Sequence, residues 1–215
     1  MKSVLLIGLG RFGTNVAKKL NDLDHEVMAV DCDEERVDNI LPIVTNAQIG
    51  DSTNEAFLET LGIKNYDVCF VAIAHNFQSS LETTSLLKEM GAKLVVARAE
   101  TDIQKKFLLR NGADEVVFPE AQMARWAAMR YSADHILDYI ELDEGHSIVE
   151  VSIPRNWVGK TLGQVDVRRI HGVNILALKR NGQMNMIFEA DSILAAGCTL
   201  LVFGEKRALR RTFDI

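Results

Sequence analysis

The chain has 215 residues, with 24 lysines and arginines against 30 aspartates and glutamates, so its net charge at pH 7 is −6. Hydrophobic residues make up 47% and charged residues 25%, which excludes collagen-like and disordered chains. No apolar run approaches the roughly 20 residues that cross a bilayer, and an acidic chain without a basic stripe is a poor candidate for nucleic-acid binding. The three scattered cysteines suit a reducing compartment, so we predict a cytoplasmic protein.

The first 118 residues alternate short apolar runs with helical patterns. The runs predict strands at residues 4–7, 27–30, 43–49, 68–73, 94–97 and 116–118, and the helical patterns lie near residues 12–20, 54–61, 77–90 and 103–109. Because these strands lack polar alternation, we expect them to be buried on both faces, as parallel strands covered by helices are. The repeated strand–helix units predict an α/β domain with a Rossmann-like, doubly wound parallel sheet.

The pattern changes after Pro119, which opens a predicted helix from residue 120 to about 135. A predicted hairpin (139–142 and 148–151), a helix (161–170), strands at 173–179, 184–188 and 199–203, and a last helix (205–211) follow. An Asn181-Gly182 turn separates two of those strands. These elements predict a small α+β C-terminal domain, and we place the domains at residues 1–137 and 138–215.

The sharpest motif is Gly8-Leu9-Gly10-Arg11-Phe12-Gly13, which follows the first strand and opens the first helix, as the dinucleotide fingerprint requires. Gly8 permits the tight turn, Gly10 lets a phosphate approach the backbone, and Gly13 lets the helix pack on the strand. Asp31 ends the second strand, about 20 residues further on, where a carboxylate can accept both ribose hydroxyls. The acids at residues 33–35 disfavour the 2′-phosphate of NADP. A glycine turn beside an unrelated surface acid is the alternative.

These residues indicate nucleotide binding but not hydride transfer. A dehydrogenase needs a substrate domain and a general acid, and the short second half supplies neither, so we predict no catalytic residues. His75 follows the fourth strand at the edge where ligands bind, but a loop histidine is more often a surface residue. A small NAD-dependent oxidoreductase and an NAD-sensing regulator remain the alternatives, although neither half has the basic module of a transcription regulator.

The sequence closely resembles the RCK-type soluble gating subunits of bacterial Trk/Ktr potassium uptake systems. The resemblance covers the whole chain and rests on the order and spacing of short motifs. They are Ile7–Gly13, Val30-Asp31, Gly50-Asp51, Leu61–Ile63, Val71–Ile73 with Asn76, Gly112–Asp114, Pro119-Glu120, Tyr139-Ile140, Val167-Arg168, Ile175–Ala177 and Gly204.

The resemblance implies a gating subunit rather than an enzyme, with ATP, ADP or NAD(H) bound in the Rossmann-like domain. It implies dimers, four of which form an octameric ring below a membrane subunit that translocates potassium, so that this protein lies at the inner face of the membrane through its partner. Carried over by position, the nucleotide-binding residues are Gly8, Gly10, Arg11, Phe12, Gly13, Asp31, Asp51 and Arg98.

Three further assignments from the resemblance have structural alternatives. Glu120 matches a position associated with Mg²⁺ or another divalent cation, but a carboxylate at a helix N-terminus is favourable in itself. Arg98 can reach phosphates or pair with Glu100 or another nearby acid. Arg168 lies where some members bind cyclic di-AMP between two C-terminal domains, or it simply complements a helix end.

The helix that follows Pro119 resembles a crossover helix that packs on a partner subunit. Its predicted apolar face consists of Met123, Trp126, Ala127 and Ala133. Such a stripe is as often internal core as interface, so the prediction of a homodimer rests on the resemblance.

Overall fold

The computed structural model describes residues 1–214, and the contacts within it divide the chain into two compact units between Glu120 and Ala121. The predicted domain limits, residues 1–137 and 138–215, stay a prediction about domain organisation. No helix among the described residues is long and apolar enough to cross a membrane.

The first unit is an α/β unit with a six-stranded parallel sheet in the order β3-β2-β1-β4-β5-β6. This order confirms the predicted Rossmann-like sheet. The chain adds β2 and β3 on one side of β1 and then β4, β5 and β6 on the other side. The elements are β1 (Ser3–Ile7), α1 (Arg11–Asp22), β2 (Glu26–Asp31), α2 (Glu34–Ile40), β3 (Asn46–Ile49), α3 (Glu55–Thr60), a 3₁₀ turn (Ile63–Asn65), β4 (Val68–Val71), α4 (Phe77–Glu89), β5 (Val95–Arg98), α5 (Asp102–Arg110) and β6 (Glu115–Val117).

Two apolar clusters cover the two faces of this sheet. Leu5 and Leu6 are adjacent in β1, yet Leu5 belongs to one cluster and Leu6 to the other. Successive side chains of a strand point to opposite faces, so a strand buried on both faces must be apolar at every position. This explains why β1 reads as an uninterrupted apolar run.

α2 was not predicted from the sequence, and the predicted extent of β3, residues 43–49, is too long. Asp33 caps α2 by accepting a hydrogen bond from the Arg36 N–H at 3.3 Å. The helix has only seven residues and buries only Val37 and Ile40, so its periodicity is too short to stand out. β3 begins at Asn46, since the segment before it forms turns after α2.

The second unit contains a five-stranded antiparallel sheet in the order β10-β9-β11-β8-β7, which confirms the predicted α+β class. Its apolar core includes Trp157, Leu200 and Phe213. The elements are α6 (Pro119–Tyr131), which begins at the boundary between the units, β7 (Ile136–Glu141), β8 (His146–Ser152), α7 (Leu162–Val165), a π-helical turn (Val167–His171), β9 (Val173–Arg180), β10 (Gln183–Asn185), β11 (Thr199–Glu205) and α8 (Lys206–Phe213).

Two predicted helices and one predicted strand of the second unit are wrong in extent. α6 ends at Tyr131, and the Ser132 hydroxyl donates to the Met129 carbonyl at 2.9 Å. The predicted helix 161–170 is interrupted at Asp166, which has a positive φ of 45° and separates α7 from the π-helical turn. β10 ends at Asn185 rather than continuing to residue 188.

The predicted apolar face of α6 is not a buried face in this structure. The helix has no buried residue, and the Met123 side chain is exposed. Trp126 is half-buried, and its ring N–H donates to Asp138 at 3.0 Å. Ala133 lies beyond the end of the helix, so it cannot belong to its face.

Asp114 connects β5 to the turn before β6. Its carboxylate accepts hydrogen bonds from the Lys88 ammonium at 2.6 Å and from the Val95 N–H at 2.8 Å. The hydrogen bond from Lys88 is the largest influence and, against a smaller effect of desolvation, holds the pKa of Asp114 below its usual range.

We predict that Asp114→Asn lowers the melting temperature at pH 7, because the charge pair with Lys88 is lost. A lowered native pKa means that the carboxylate stabilises the fold above about pH 4 and that this stabilisation disappears as the pH falls through the lowered native value. Calorimetric scans at several pH values should therefore show a difference between wild type and variant that shrinks in acid. Asp38→Asn, at an exposed position of α2, is the matched control. A difference that does not change with pH would contradict the assignment.

Candidate functional site

The loop between β1 and α1 folds tightly because two glycines leave no room for side chains. Gly8 has a φ of +96°, and its N–H donates to the Val30 carbonyl at 2.8 Å. A Cβ on Gly13 would lie 1.9 Å from the Gly8 carbonyl oxygen. Gly10 caps α1 without any side-chain hydrogen bond, and a Cβ there would have no atom within 4 Å. The first N–H groups of α1 are thus open to an anion.

Asp31 links this loop to the end of β2. One carboxylate oxygen accepts the Leu9 N–H at 2.6 Å, and the other accepts the Asp33 N–H at 3.0 Å. The residue is 6% exposed, and the Arg36 guanidinium lies 3.6 Å from it. Asp31 therefore holds the loop in place, in addition to any role toward a ribose, since each carboxylate oxygen can accept more than one hydrogen bond.

A cavity of about 1260 Å³ lies at the carboxyl edge of the sheet. This edge is where open α/β sheets bind ligands, and the volume exceeds the roughly 300–1,000 Å³ of common small-molecule sites. It is lined by Ile7, Gly8, Leu9, Gly10, Arg11, Phe12, Thr14, Asn15, Asp31, Cys32, Arg36, Gly50, Asp51, Ser52, Ala72, Ile73, Ala74, His75, Asn76, Ser79, Arg98, Glu100 and Glu120.

The structure brings together most of the residues named from the sequence. Gly8, Gly10, Arg11, Phe12, Asp31, Asp51, Arg98 and Glu120 line the cavity. Gly13 is not among the lining residues and instead packs beneath the loop. Arg168 belongs to the second unit and lies in the π-helical turn.

Arg11 and Asp51 differ in whether other groups of the protein pair with their charged side chains. Arg11 is exposed at the start of α1, and within residues 1–214 its guanidinium forms no ion pair or hydrogen bond. The Asp51 carboxylate accepts the N–H of Thr53 at 2.9 Å and its hydroxyl at 2.7 Å, and these bonds lower the pKa of Asp51. Arg11 is thus a cation available to a ligand, while Asp51 is a fixed anion.

Arg98 occupies a buried position beside the glycine loop. Its side chain is 9% exposed and lies over the Phe12 ring, 5.7 Å from the ring centre. It pairs with Glu100 at 3.4 Å and, more closely, with Glu120, so the salt-bridge alternative raised by the sequence is present. Its Nε is buried and has no hydrogen-bond partner among the described residues. This guanidinium therefore has a buried donor that no described group of the protein satisfies.

Glu120 is an exposed carboxylate in the first turn of α6. Although desolvation acts to raise the pKa of Glu120, hydrogen bonds from its own N–H and from Arg98 lower it below the usual range. Within residues 1–214, no group of three or more His, Cys, Asp or Glu side chains is arranged so that it could hold a metal ion. The carboxylate fits a cation only if a bound phosphate supplies further oxygens, as is common for Mg²⁺.

Sequence reasoning missed several lining residues. Cys32 and Arg36 follow the end of β2, Asn76 caps α4, and Ser79 belongs to its first turn. Asn76 belongs to the motifs that carry the family resemblance, and the others have as their sequence signal only a position soon after a strand that ends at the ligand-binding edge. Burial, followed by the charge of Asp31, raises the pKa of the Cys32 thiol, so this cysteine stays protonated near neutrality.

Arg168 is exposed in the second unit. Its neighbour Arg169 pairs with Asp166 at 2.7 Å. The two arginines are therefore distinct, because one is already held by the protein and the other has no ion-pair partner among the described residues.

A glycine loop at a helix start, a buried acid at the end of the second strand and an α+β unit that follows are typical of a nucleotide-binding protein with two units. Comparison with known proteins agrees with this class. Residues 4–119 match the TrkA-N domain, and residues 147–215 match the TrkA-C domain. Ktr system potassium uptake protein C of Bacillus subtilis is 39% identical over 210 residues, which cover 98% of this chain and 95% of that protein. Ktr system potassium uptake protein A of the same organism is 36% identical over the same shares.

The chain therefore belongs to the family of Ktr and Trk potassium uptake proteins, which confirms the resemblance inferred from the sequence. Solved structures agree at the level of the fold. The GsuK channel bound to NAD superimposes with a TM-score of 0.69 at 16% identity over 97% of this chain, and the GsuK RCK domain with 0.66 over 99%. The chain spans 38% and 47% of those two structures.

We predict that Gly10→Ala and Gly13→Ala separate ligand binding from folding. The Cβ of Gly10→Ala enters open space in the cavity, so the variant should melt as wild type does but bind ATP and NADH about tenfold more weakly or worse, because phosphates lose backbone hydrogen bonds. The Cβ of Gly13→Ala collides with the Gly8 carbonyl, and overpacking of this kind costs roughly 1–3 kcal/mol. Calorimetric titration and thermal melts measure the two effects. Wild-type nucleotide affinity in Gly10→Ala would show that phosphates bind elsewhere.

Proposed function

We propose that this protein is the nucleotide-binding regulatory subunit of a potassium uptake system and that it controls a membrane subunit that translocates K⁺. The observation that carries the nucleotide part is the cavity in which the glycine loop, Asp31 and the unpaired Arg11 face the same space. Family membership supports the potassium part, since the Bacillus relatives are named potassium uptake proteins. We expect no catalytic turnover, and we place the protein in the cytoplasm at the inner face of the membrane.

The proposed ligands are ATP, ADP or NAD(H). Structures with the same fold have NAD or ADP bound, as their names state, and the size of the cavity is sufficient for a dinucleotide. The N–H groups at the start of α1 would hold the phosphates, and Asp31 would accept the ribose hydroxyls. Asp51 would position the nucleoside end.

We propose that Arg11 and Arg98 allow the site to distinguish nucleotides by the length of their phosphate chain. Arg11 is exposed and unpaired within the described chain, whereas Arg98 is buried against Phe12 and has a free Nε donor. A longer phosphate chain meets more of the positive charge of these two guanidiniums, and a ligand shifts a conformational equilibrium only by such differential contacts. We propose that ATP in this way favours one conformation of the assembly and ADP another. Glu120 would hold a divalent cation together with the phosphates, after exchanging its pairing with Arg98.

We further propose that the protein forms homodimers that assemble into an octameric ring. The supporting observation is α6, which has no buried residue and exposes Met123 and Tyr131. Exposed apolar side chains on one helix are typical of an interaction surface. A ring couples many sites to one membrane partner, which is how a small change at each site becomes a large movement.

We predict that Arg11→Ala reduces the preference for ATP over ADP by about tenfold or more, because a charge-assisted hydrogen bond contributes roughly 1.5–3 kcal/mol. Isothermal titration with each nucleotide, with and without Mg²⁺, measures the preference. Lys18→Ala, at an exposed position of the same helix, is the matched control and should behave as wild type.

The same pair of variants tests the potassium function in cells. A bacterial strain without its own potassium uptake should grow at low K⁺ when it expresses this protein with a Ktr-type membrane subunit. Growth should fail with Arg11→Ala and persist with Lys18→Ala. Turnover of NADH with a substrate, in place of nucleotide-dependent transport, would favour an oxidoreductase.

We propose cyclic di-AMP as a second ligand, bound in the second unit near Arg168. The exposed guanidinium supports this proposal, because a two-fold ligand between two copies can receive one guanidinium for each phosphate. Ile170 in the same turn is also exposed and could contact a base.

We predict that cyclic di-AMP binds with one molecule per dimer and that Arg168→Ala abolishes this binding while ATP binding survives. Arg169→Ala is the control, since that side chain already pairs with Asp166. Titration calorimetry at high protein concentration gives both affinity and stoichiometry. The absence of any heat from wild type would remove the site.

A further inference from the structure

His75 lies at the centre of the ligand-binding edge, opposite the glycine loop. β1 and β4 are neighbouring parallel strands, and their pairing continues to the Ala72 N–H, which donates to the Ile7 carbonyl at 2.7 Å. A Cβ on Gly8 would lie 3.0 Å from the backbone of Ala72 and Ile73. The segment that leads to His75 is thus packed directly against the loop that receives phosphates.

The imidazole of His75 is available to a ligand. The residue is exposed and lines the cavity. Throughout the described chain, no group forms a hydrogen bond, ion pair or ring contact with it. Asn76, the next residue, caps α4 by accepting the Ser79 N–H at 3.2 Å, so the backbone that carries His75 is fixed by a helix start.

The other charged side chains around the cavity are carboxylates and guanidiniums. They come from the neighbouring strand ends and helix starts, namely Arg11, Asp31, Arg36, Asp51, Arg98, Glu100 and Glu120. The reference pKa values of free carboxylic acids and guanidiniums lie well outside the neutral range, and the raised pKa of Cys32 keeps that thiol neutral. A histidine is the side chain that changes charge between about pH 5 and pH 8.

We propose that His75 contacts the phosphates of the bound nucleotide and, when protonated, strengthens their binding, so that nucleotide occupancy rises as the pH falls. The inference rests on the proposed nucleotide function and adds a residue to it. A phosphate chain that starts at α1 and extends along the cavity toward β4 brings its negative charge to the imidazole. Binding of the phosphate then favours the imidazolium form, and proton uptake accompanies binding.

The test compares wild type with His75→Gln, which keeps a neutral hydrogen-bonding side chain. Affinities for NADH and ATP are measured by titration calorimetry at about pH 6 and about pH 8. NADH is the cleaner ligand because its pyrophosphate keeps its charge in this range, whereas a terminal phosphate titrates near pH 6. Wild type should gain about fivefold more affinity than the variant on acidification, the effect of one solvated charge pair.

His25→Gln is the matched control. His25 precedes β2 at the opposite edge of the sheet, where its ring accepts the Lys2 N–H at 3.3 Å, so the pH response should remain as in wild type. Proton uptake, measured from the dependence of the binding heat on the buffer, should be smaller in His75→Gln than in both other proteins.

The outcomes separate this inference from the proposed function. Binding of nucleotide by wild type with the same pH response and proton uptake in His75→Gln would overturn the role of His75 and leave the nucleotide site intact. Failure of wild type to bind either nucleotide at both pH values would overturn the proposed function and, with it, this inference. If His75→Gln does not fold, NMR spectroscopy of wild type provides the test. The imidazole resonances of His75 must shift when NADH is added.

Discussion

The hydrogen bond from the Leu9 N–H to the buried Asp31 carboxylate is the interaction on which the first unit depends. It joins the turn after β1 to the end of β2, and α1 packs closely against the same turn because Gly13 has no side chain to separate it from Gly8. The start of α1 is thereby directed at the carboxyl edge of the sheet. The same acid that faces a ribose in a Rossmann-type site thus also fixes the phosphate loop.

Much of this arrangement could be predicted from the sequence because it follows from local chemistry. Uninterrupted apolar strands such as β1 indicate a sheet covered on both faces, and glycines at fixed spacing after a strand indicate a phosphate loop. The predicted secondary structure was wrong where an element leaves no periodic pattern of apolar residues in the sequence. α2 is too short to show a helical pattern, and no adjacent glycine or proline marks the break at Asp166, whose positive φ ends α7.

The residues of the candidate site likewise include some that sequence motifs identify and others that no motif identifies. Arg11 and Asp31 were found because the loop and the strand end identify them, and His75 was placed at the same edge, but Arg36 reaches the cavity from α2, a helix that the sequence pattern did not reveal. The pairing of Arg98 with Glu120 joins residues 22 positions apart, and no spacing rule connects a strand end with the start of α6. Side-chain partners of this kind are decided by how the strand ends meet in space.

Arg98 has a consequence for how long the protein survives in the cell. Its Nε donor is buried and has no hydrogen-bond partner among residues 1–214, and a buried donor without an acceptor typically costs about 1–3 kcal/mol. Binding of the proposed nucleotide to the folded protein alone would raise its resistance to unfolding, and an acceptor for this donor would add to that effect. Proteases degrade chains in proportion to the time they spend unfolded. The supply of nucleotide would then set the abundance of this subunit as well as its conformation, and depleted cells would clear it faster.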